Sequence, residues 1–327
     1  MRNANTLSLD LALALTLCVL IGGAGCARAP IRARMPDDPV LEAARNAAAR
    51  GDICTARQNY RHLLSRYPVG HDDGESGAMA ADHTAVLRLL ARLEQGSGNY
   101  FEAEVLLLEA LDRVERRFGK NDPLAGWIAA ELGPLYQSTA RLAEAEYFHR
   151  RALTLLEPVL EPHDTHLGIL LNNLASVLVA ADRHGEAIEL MERTRAFALE
   201  NADTGSAHAG PLFLVNLADT YRQIGRLVDA EQAYRTALAR QRVEKGYRAN
   251  FIAMTSLDGL AQIEAERGEL TTATTLLRVA IGIGERMLEV SNGYCAGMPL
   301  YKHTHRRLEI INERYREMRA LLHGGWV

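Results

Sequence analysis

The chain has 327 residues, of which 48% are hydrophobic, so it can bury a sizeable core and its composition excludes a disordered polypeptide. Its 37 lysines and arginines stand against 41 aspartates and glutamates, which gives a formal net charge of -4 and an isoelectric point near 6.3. This balance lacks the positive field that nucleic-acid binding usually needs, so we expect no DNA or RNA partner.

The first 25 residues have the features of an export signal. Arg2 supplies a weakly positive start, and an uncharged, mainly apolar run of 11 residues extends from Leu11 to Ile21. At about 1.5 Å per residue, a helix of this length covers roughly half of a 30 Å hydrocarbon core, which is too short for an ordinary membrane-spanning helix. We therefore predict a signal peptide over residues 1–25.

The small residues behind this run resemble the lipobox of bacterial lipoproteins. The match lies at Ala24, Gly25 and Cys26, whereas Gly23 stands where the family usually has leucine. The resemblance implies that Cys26 is lipidated and begins the mature chain, and that Ala27 directs it to the outer membrane rather than the inner one. Two alternatives stay open: an ordinary cleaved signal, which gives a soluble periplasmic protein, and a retained anchor.

Residues 26–39 separate the signal from the first helical pattern. This segment contains three prolines and alternating arginines, and it shows no apolar periodicity. Such a composition is typical of an extended linker. We predict that residues 26–39 form a lipidated tether.

Residues 40–285 contain a repeat with a period of 42 or 43 residues. Its clearest markers are alanines at matching positions, and the intervals between them are 42, 42, 43 and 43 residues. These alanines are Ala103, Ala145, Ala187, Ala230 and Ala273. Further small residues lie seven positions after and twelve before each alanine, and an earlier unit around Ala44 and Ala56 fits the same frame. We therefore predict about six units.

Each unit predicts two helices joined by a tight turn. The turn positions carry glycine in three of the five clearest units, and glycine can adopt a positive φ at the end of a helix. These positions are Gly98, Ala140, Asp182, Gly225 and Gly268. The small residues are expected where the two helices cross, since a larger side chain would overpack the crossing by about 1–3 kcal/mol.

This pattern resembles the tetratricopeptide repeat, and more narrowly the kinesin-light-chain type. The narrower resemblance lies in the long period, in Asp122-Pro123 before a first helix, in the Leu171 to Ala175 stretch, and in the turn at Gly225. It covers about residues 40 to 285. The resemblance implies an all-α fold, an α-solenoid in which the units wind into a right-handed superhelix.

The family's peptide-contacting positions map onto the first helix of each unit and imply a mixed polar groove. They are Arg88, Arg92, Trp127, Gln137, Asn172, Ser176, Asp219, Arg222, Asp258 and Gln262. Amide side chains there can grip a peptide backbone, and the two arginines can clamp a carboxylate. The alternative for each residue is a solvated helix face, and for Trp127 a buried position inside the stack.

A segment over residues 286–327 follows the last repeat. After a break at residues 291–299, apolar residues from Leu300 to Leu322 lie on one helical face, with Arg307 and Glu313 among the charges on the other. We predict that this amphipathic helix caps the open end of the array.

Cysteines and histidines offer little evidence for chemistry. Cys54 and Cys295 lie near opposite ends of the array, so buried free thiols are the favoured interpretation, with an intermolecular bridge as the alternative. His163 and His166 lie in a loop where a capping role is expected. His303 and His305 point to different sides of a helix and lack further ligands, so no metal site is predicted.

The sequence as a whole favours a protein that holds another protein. It contains no phosphate-binding loop, nucleophile elbow or metal motif, so we expect neither an enzyme nor a cofactor. The first hypothesis is an outer-membrane-anchored periplasmic scaffold or adaptor in envelope complex assembly. The second is a regulator of a cell-wall enzyme. Neither the partner nor the oligomeric state follows from the sequence.

Overall fold

The computed structural model describes residues 38–66, 77–161, 164–200, 210–241, 247–291 and 299–323. The predicted signal peptide, Cys26 and most of the tether lie outside the described residues. The described part is helical and contains no β-strand. Its helices are α1 (Pro39–Ala49), α2 (Ile53–Arg66), α3 (Gly77–Gly96), α4 (Tyr100–Phe118), α5 (Pro123–Ser138), α6 (Leu142–Leu156), α7 (Thr165–Ala180), α8 (His184–Glu200), α9 (Gly210–Gln223), α10 (Leu227–Gln241), α11 (Tyr247–Glu266), α12 (Leu270–Ser291) and α13 (Pro299–Leu322).

The helices form pairs that match the sequence repeat. The first helix of each pair, here called an A helix, is α1, α3, α5, α7, α9 or α11, and the helix that follows it is its B helix. Every A helix packs against its own B helix. The all-α class and its repeated helix-turn-helix architecture are thus confirmed.

The chain divides into two compact units, which are described separately. The N-terminal unit contains α1 to α6 and the C-terminal unit contains α7 to α13. In the C-terminal unit, successive A helices also contact one another, α7 with α9 and α9 with α11. The final helix α13 packs on α12 and contacts α11.

Three A helices begin with the same aspartate cap. The carboxylates of Asp38, Asp122 and Asp164 each accept a hydrogen bond of 2.8 Å from the backbone N–H two residues further on. In α1 and α5 the next residue is proline, whose missing N–H costs nothing in the first turn. These local signals explain why the A helices start where they do.

The turn inside each pair requires a left-handed residue. Gly51, Gly98, Gly225 and Gly268 have φ between 78° and 87°, and Ala140 and Asp182 have φ of 59° and 61°. The predicted turn positions are therefore confirmed, and the structure adds that Ala140 and Asp182 adopt the left-handed conformation without being glycine. A non-glycine residue in this region strains the backbone, because its Cβ approaches the carbonyl oxygen.

This strain predicts that Ala140→Gly stabilises the pair α5–α6 by about 1 kcal/mol. The matched control is Gly225→Ala in the turn between α9 and α10. A Cβ added at Gly225 meets no atom within 4 Å, so only the backbone strain changes, and we expect a loss of about 1 kcal/mol. Hydrogen exchange of the helices next to each turn measures both effects. Equal or lower protection in Ala140→Gly would contradict the prediction.

The small residues of the repeat lie at the crossings, as predicted. Ala103, Ala145, Ala187, Ala230 and Ala273 are all fully buried. At Gly133, an added Cβ would lie 2.5 Å from the ring of His149 on the partner helix. The backbones can approach only because these positions carry no larger side chain.

Among the described helices, none combines the length and the hydropathy that a membrane crossing requires.

Candidate functional site

The ten predicted groove residues all lie on A helices, but they fall into two groups. Half of them are buried inside the helix stack and half keep partial exposure. The buried group is Arg88, Trp127, Asn172, Ser176 and Asp258. The half-buried group is Arg92, Gln137, Asp219, Arg222 and Gln262. Only the second group, called the accessible set below, can touch a ligand without a rearrangement.

In the N-terminal unit, Arg88 and Arg92 of α3 share one carboxylate of α5. Arg88 Nη2 donates to Glu131 Oε1 over 2.8 Å and its Nε to Oε2 over 3.1 Å, while Arg92 Nε donates to Oε1 over 3.1 Å. Burial opposes ionisation of Glu131, but the two guanidinium groups outweigh it, so the pKa of Glu131 lies below its usual value. The arginine pair expected to clamp a ligand carboxylate therefore already holds one from the next A helix.

The remaining two candidates in this unit lie on α5. Trp127 is buried, so its indole belongs to the helix packing rather than to an exposed binding surface. Gln137 Oε1 lies 3.4 Å from Nε2 of the fully buried His149. The amide Nε2 of Gln137 is buried and has no hydrogen-bond partner.

In the C-terminal unit, amide side chains connect α7 to α9. Asn216 Nδ2 donates to Asn172 Oδ1 over 3.0 Å, and both residues are buried. The Ser176 hydroxyl donates to the Asn172 backbone carbonyl over 2.6 Å. Both candidates on α7 thus take part in contacts within the protein.

A second polar cluster lies on α9, α10 and α11. The Tyr234 hydroxyl, on the fully buried side chain of α10, donates to Asp219. Burial raises the pKa of Asp219 above its usual value. Arg222 Nη1 lies 3.6 Å from Glu266 Oε1, and the buried Nε of Arg222 has no hydrogen-bond partner.

At the end of the series, Asp258 of α11 receives two arginines from α13. Arg307 Nη2 donates to Asp258 Oδ2 over 2.9 Å and Arg314 Nη1 donates to the same oxygen over 2.6 Å. Burial opposes ionisation, but the two arginines outweigh it and keep the pKa of Asp258 below its usual value. The other carboxylate oxygen, Oδ1, is buried without a hydrogen-bond partner.

Sequence reasoning missed the partners of these residues, although a signal for them exists. Glu131 follows Arg88 by 43 residues, and Asn216 follows Asn172 by 44. Because the local periods are 42 and 43, both partners lie one repeat plus one residue further along. Complementary polar residues at that spacing predict contacts between successive A helices.

The other candidates have structural roles or stay untested. His166 Nδ1 lies 2.7 Å from the capping carboxylate of Asp164, which agrees with the predicted capping role, while His163 lies outside the described residues. Cys54 is free, but its position on α2 faces solvent, so the expectation of a buried thiol is wrong for this residue. Cys295 lies outside the described residues. Within the described ranges, no group of three or more possible metal ligands is found.

Comparisons with known proteins agree with this architecture. The family model of the tetratricopeptide repeat matches residues 82–157 and 135–200. The Protein KINESIN LIGHT CHAIN-RELATED 3 of Arabidopsis thaliana is 32% identical over 171 residues, which are 52% of this chain and 26% of that protein. This chain therefore spans about a quarter of the length of that relative.

Solved structures show the same fold. BtubC (BKLC) from P. vanneervenii has a TM-score of 0.56 and 20% identity, with 79% of this chain and 94% of that chain covered. A Rap protein complexed with Competence and Sporulation Factor has a TM-score of 0.53 and 12% identity, with 85% and 75% covered. Residues 82–200 thus match the tetratricopeptide repeat model, the chain is similar to a kinesin-light-chain-related protein, and the solved structures share its helical-repeat fold.

Proposed function

We propose that the protein is a scaffold or adaptor that holds a peptide or partner subunit on the A helices, and that it does so in envelope complex assembly. One observation supports this best: the accessible set keeps partly exposed polar side chains on A helices of each unit, on α3 and α5 in the N-terminal unit and on α9 and α11 in the C-terminal unit. The repeat fold itself is typical of protein–protein interaction scaffolds.

The chemistry of the accessible set suits an extended peptide. Gln137 and Gln262 carry amides that both donate to and accept from a peptide backbone, whichever side chains that peptide carries. Arg92 and Arg222 add guanidinium groups at partly exposed positions, and such groups donate several hydrogen bonds to backbone carbonyls or carboxylates.

We place this scaffold at the outer membrane, facing the periplasm, on the basis of the signal-like segment and Cys26. Several acyl chains, each contributing about 0.8 kcal/mol per buried CH₂ group, would anchor it durably. Fractionation of a Cys26→Ser variant tests the location: the variant is expected in the soluble fraction, and a variant that stays in the membrane would refute lipid anchoring.

Crosslinking and capture from intact cells test the scaffold function. We expect Arg92→Ala/Gln262→Ala to lose a crosslinked partner that the wild-type chain retains. The matched control is Arg116→Ala/Gln232→Ala, which removes the same residue types from exposed positions of the B helices α4 and α10. Equal loss in both variants would contradict a binding role for the A helices. A captured cell-wall hydrolase would favour the regulator over the assembly scaffold.

A further inference from the structure

The polar contact made by the last A helix, α11, differs from those of α3 and α7, because its partner residues do not lie on another A helix. Arg88, Asn172 and Asp258 occupy equivalent repeat positions, and the first two bind residues 43 and 44 positions further on. Asp258 instead binds Arg307 and Arg314, which lie 49 and 56 positions further on. A helix beyond the repeats thus takes the place of a seventh A helix, in a different register.

This helix, α13, is anchored over only part of its length. From residue 304 onwards, its buried side chains are Thr304, Arg307, Leu308 and Ile311, and no side chain after Ile311 is buried. By contrast, buried residues extend along α11 from Phe251 to Ile263. Because the free energy of docking follows the buried apolar surface, residues 312–322 of α13 contribute little to its docking on the repeats.

The anchor has a distinct chemistry. Arg307 and Arg314 are seven residues apart and thus lie on one helix face. Leu308 of the same helix lies beside Gly284 of α12, as does Met254 of α11. Guanidinium groups suit a buried carboxylate, since they are weakly hydrated and present several fixed donors. Asp258 still has one buried oxygen without a donor, so α13 leaves part of the acceptor capacity unused.

We propose that Asp258 is a binding site for arginine side chains presented by a helix, that α13 is its internal occupant, and that a partner helix with arginines seven residues apart can replace it. The idea rests on the proposed scaffold function and names the class of partner: a basic amphipathic helix with an apolar residue between its arginines. A ligand with an additional N–H donor would satisfy Oδ1 and thereby compete with α13.

A peptide with the sequence of residues 299–323, labelled with fluorescein, tests the site on the full chain. We expect it to bind the Arg307→Gln/Arg314→Gln chain at least about tenfold more tightly than the wild-type chain, whose own α13 competes. The same two substitutions in the peptide should weaken binding by about tenfold, whereas Arg306→Gln/Arg316→Gln, at exposed positions, should not. Equal binding of the wild-type peptide and its Arg307→Gln/Arg314→Gln variant would overturn the proposal.

A second measurement covers the case in which the double variant does not fold. In the wild-type chain, a large excess of peptide should lower the hydrogen-exchange protection of α13 by about tenfold and leave α11 protected. Unchanged protection of α13 would also overturn the proposal. Concentration-dependent dimers that the two glutamine substitutions abolish would identify a second copy as the source of the helix, and a monomer that binds the peptide would point to another protein.

These outcomes are distinct from those of the scaffold test. The peptide experiment contains no envelope component. If the peptide fails to bind, a partner captured from intact cells still supports the scaffold function. Equal loss of the captured partner from both double variants would contradict a binding role for the A helices even if the peptide replaced α13.

Discussion

Asp258→Ala is expected to lower the stability of the C-terminal unit by about 3–5 kcal/mol. The substitution leaves Arg307 and Arg314, whose side chains are only 8% and 19% exposed, without the carboxylate that both bind. An uncompensated buried cation is costly, because the charge has lost its hydration and gains no opposite charge in return. Hydrogen exchange of the α9 and α11 amides measures the loss.

The control for Asp258→Ala is Asp112→Ala on α4. Asp112 also binds an arginine, Arg116, over 3.0 Å, but the two side chains are 55% and 70% exposed. Water replaces the missing partner there, so an exposed pair of this kind contributes about 0–1 kcal/mol. Comparable losses at both positions would contradict the importance of burial for the contact between α11 and α13.

Acidification is expected to destabilise the pair α5–α6 through His149. Burial lowers the pKa of His149 from 6.5 to about 3, so the unfolded chain binds a proton over this range whereas the folded chain does not. Stability is therefore fully present above pH 6.5 and falls as the pH decreases towards 3. A difference of about 3.5 pKa units corresponds to a loss on the order of 4–5 kcal/mol at the acid end.

Comparison with His149→Leu isolates this effect from the carboxylates, which protonate at lower pH. The variant removes the titrating group at similar volume, so its stability should fall less steeply between pH 6.5 and pH 4. Phe148→Leu on the same helix is the control: it also alters a buried side chain, but it should keep the wild-type slope. Equal slopes in all three proteins would show that His149 does not govern the acid response.

The helix pairs were predictable because they depend on short-range rules. An aspartate before Pro39 or Pro123 starts a helix, and a residue that adopts positive φ turns the chain back, whatever lies elsewhere in the protein. The fully buried alanines followed from the same period, since two helix backbones can cross closely only where side chains are small.

The sequence predicted which residues of the groove lie on A helices, but not which of them are exposed or what they bind. Arg88 and Arg92 were expected to clamp the carboxylate of a ligand, yet Glu131 of the next A helix binds both. The alternatives for Trp127 were an exposed hot spot and a packed side chain, and the structure buries it. Whether a polar residue on a helix faces a ligand or the neighbouring helix depends on the rotation of that helix in the stack.

The sequence by itself determined the repeat period, the all-α class, the helix starts and the turns, because each depends on residues close together in the chain. Only the tertiary structure decided that Asp258 binds α13, and that five of the ten candidates are accessible, because those facts arise from side chains tens of residues apart. Contacts of this kind depend on how the helices stack, and periodicity specifies which face of a helix is apolar without specifying which charged residue meets it.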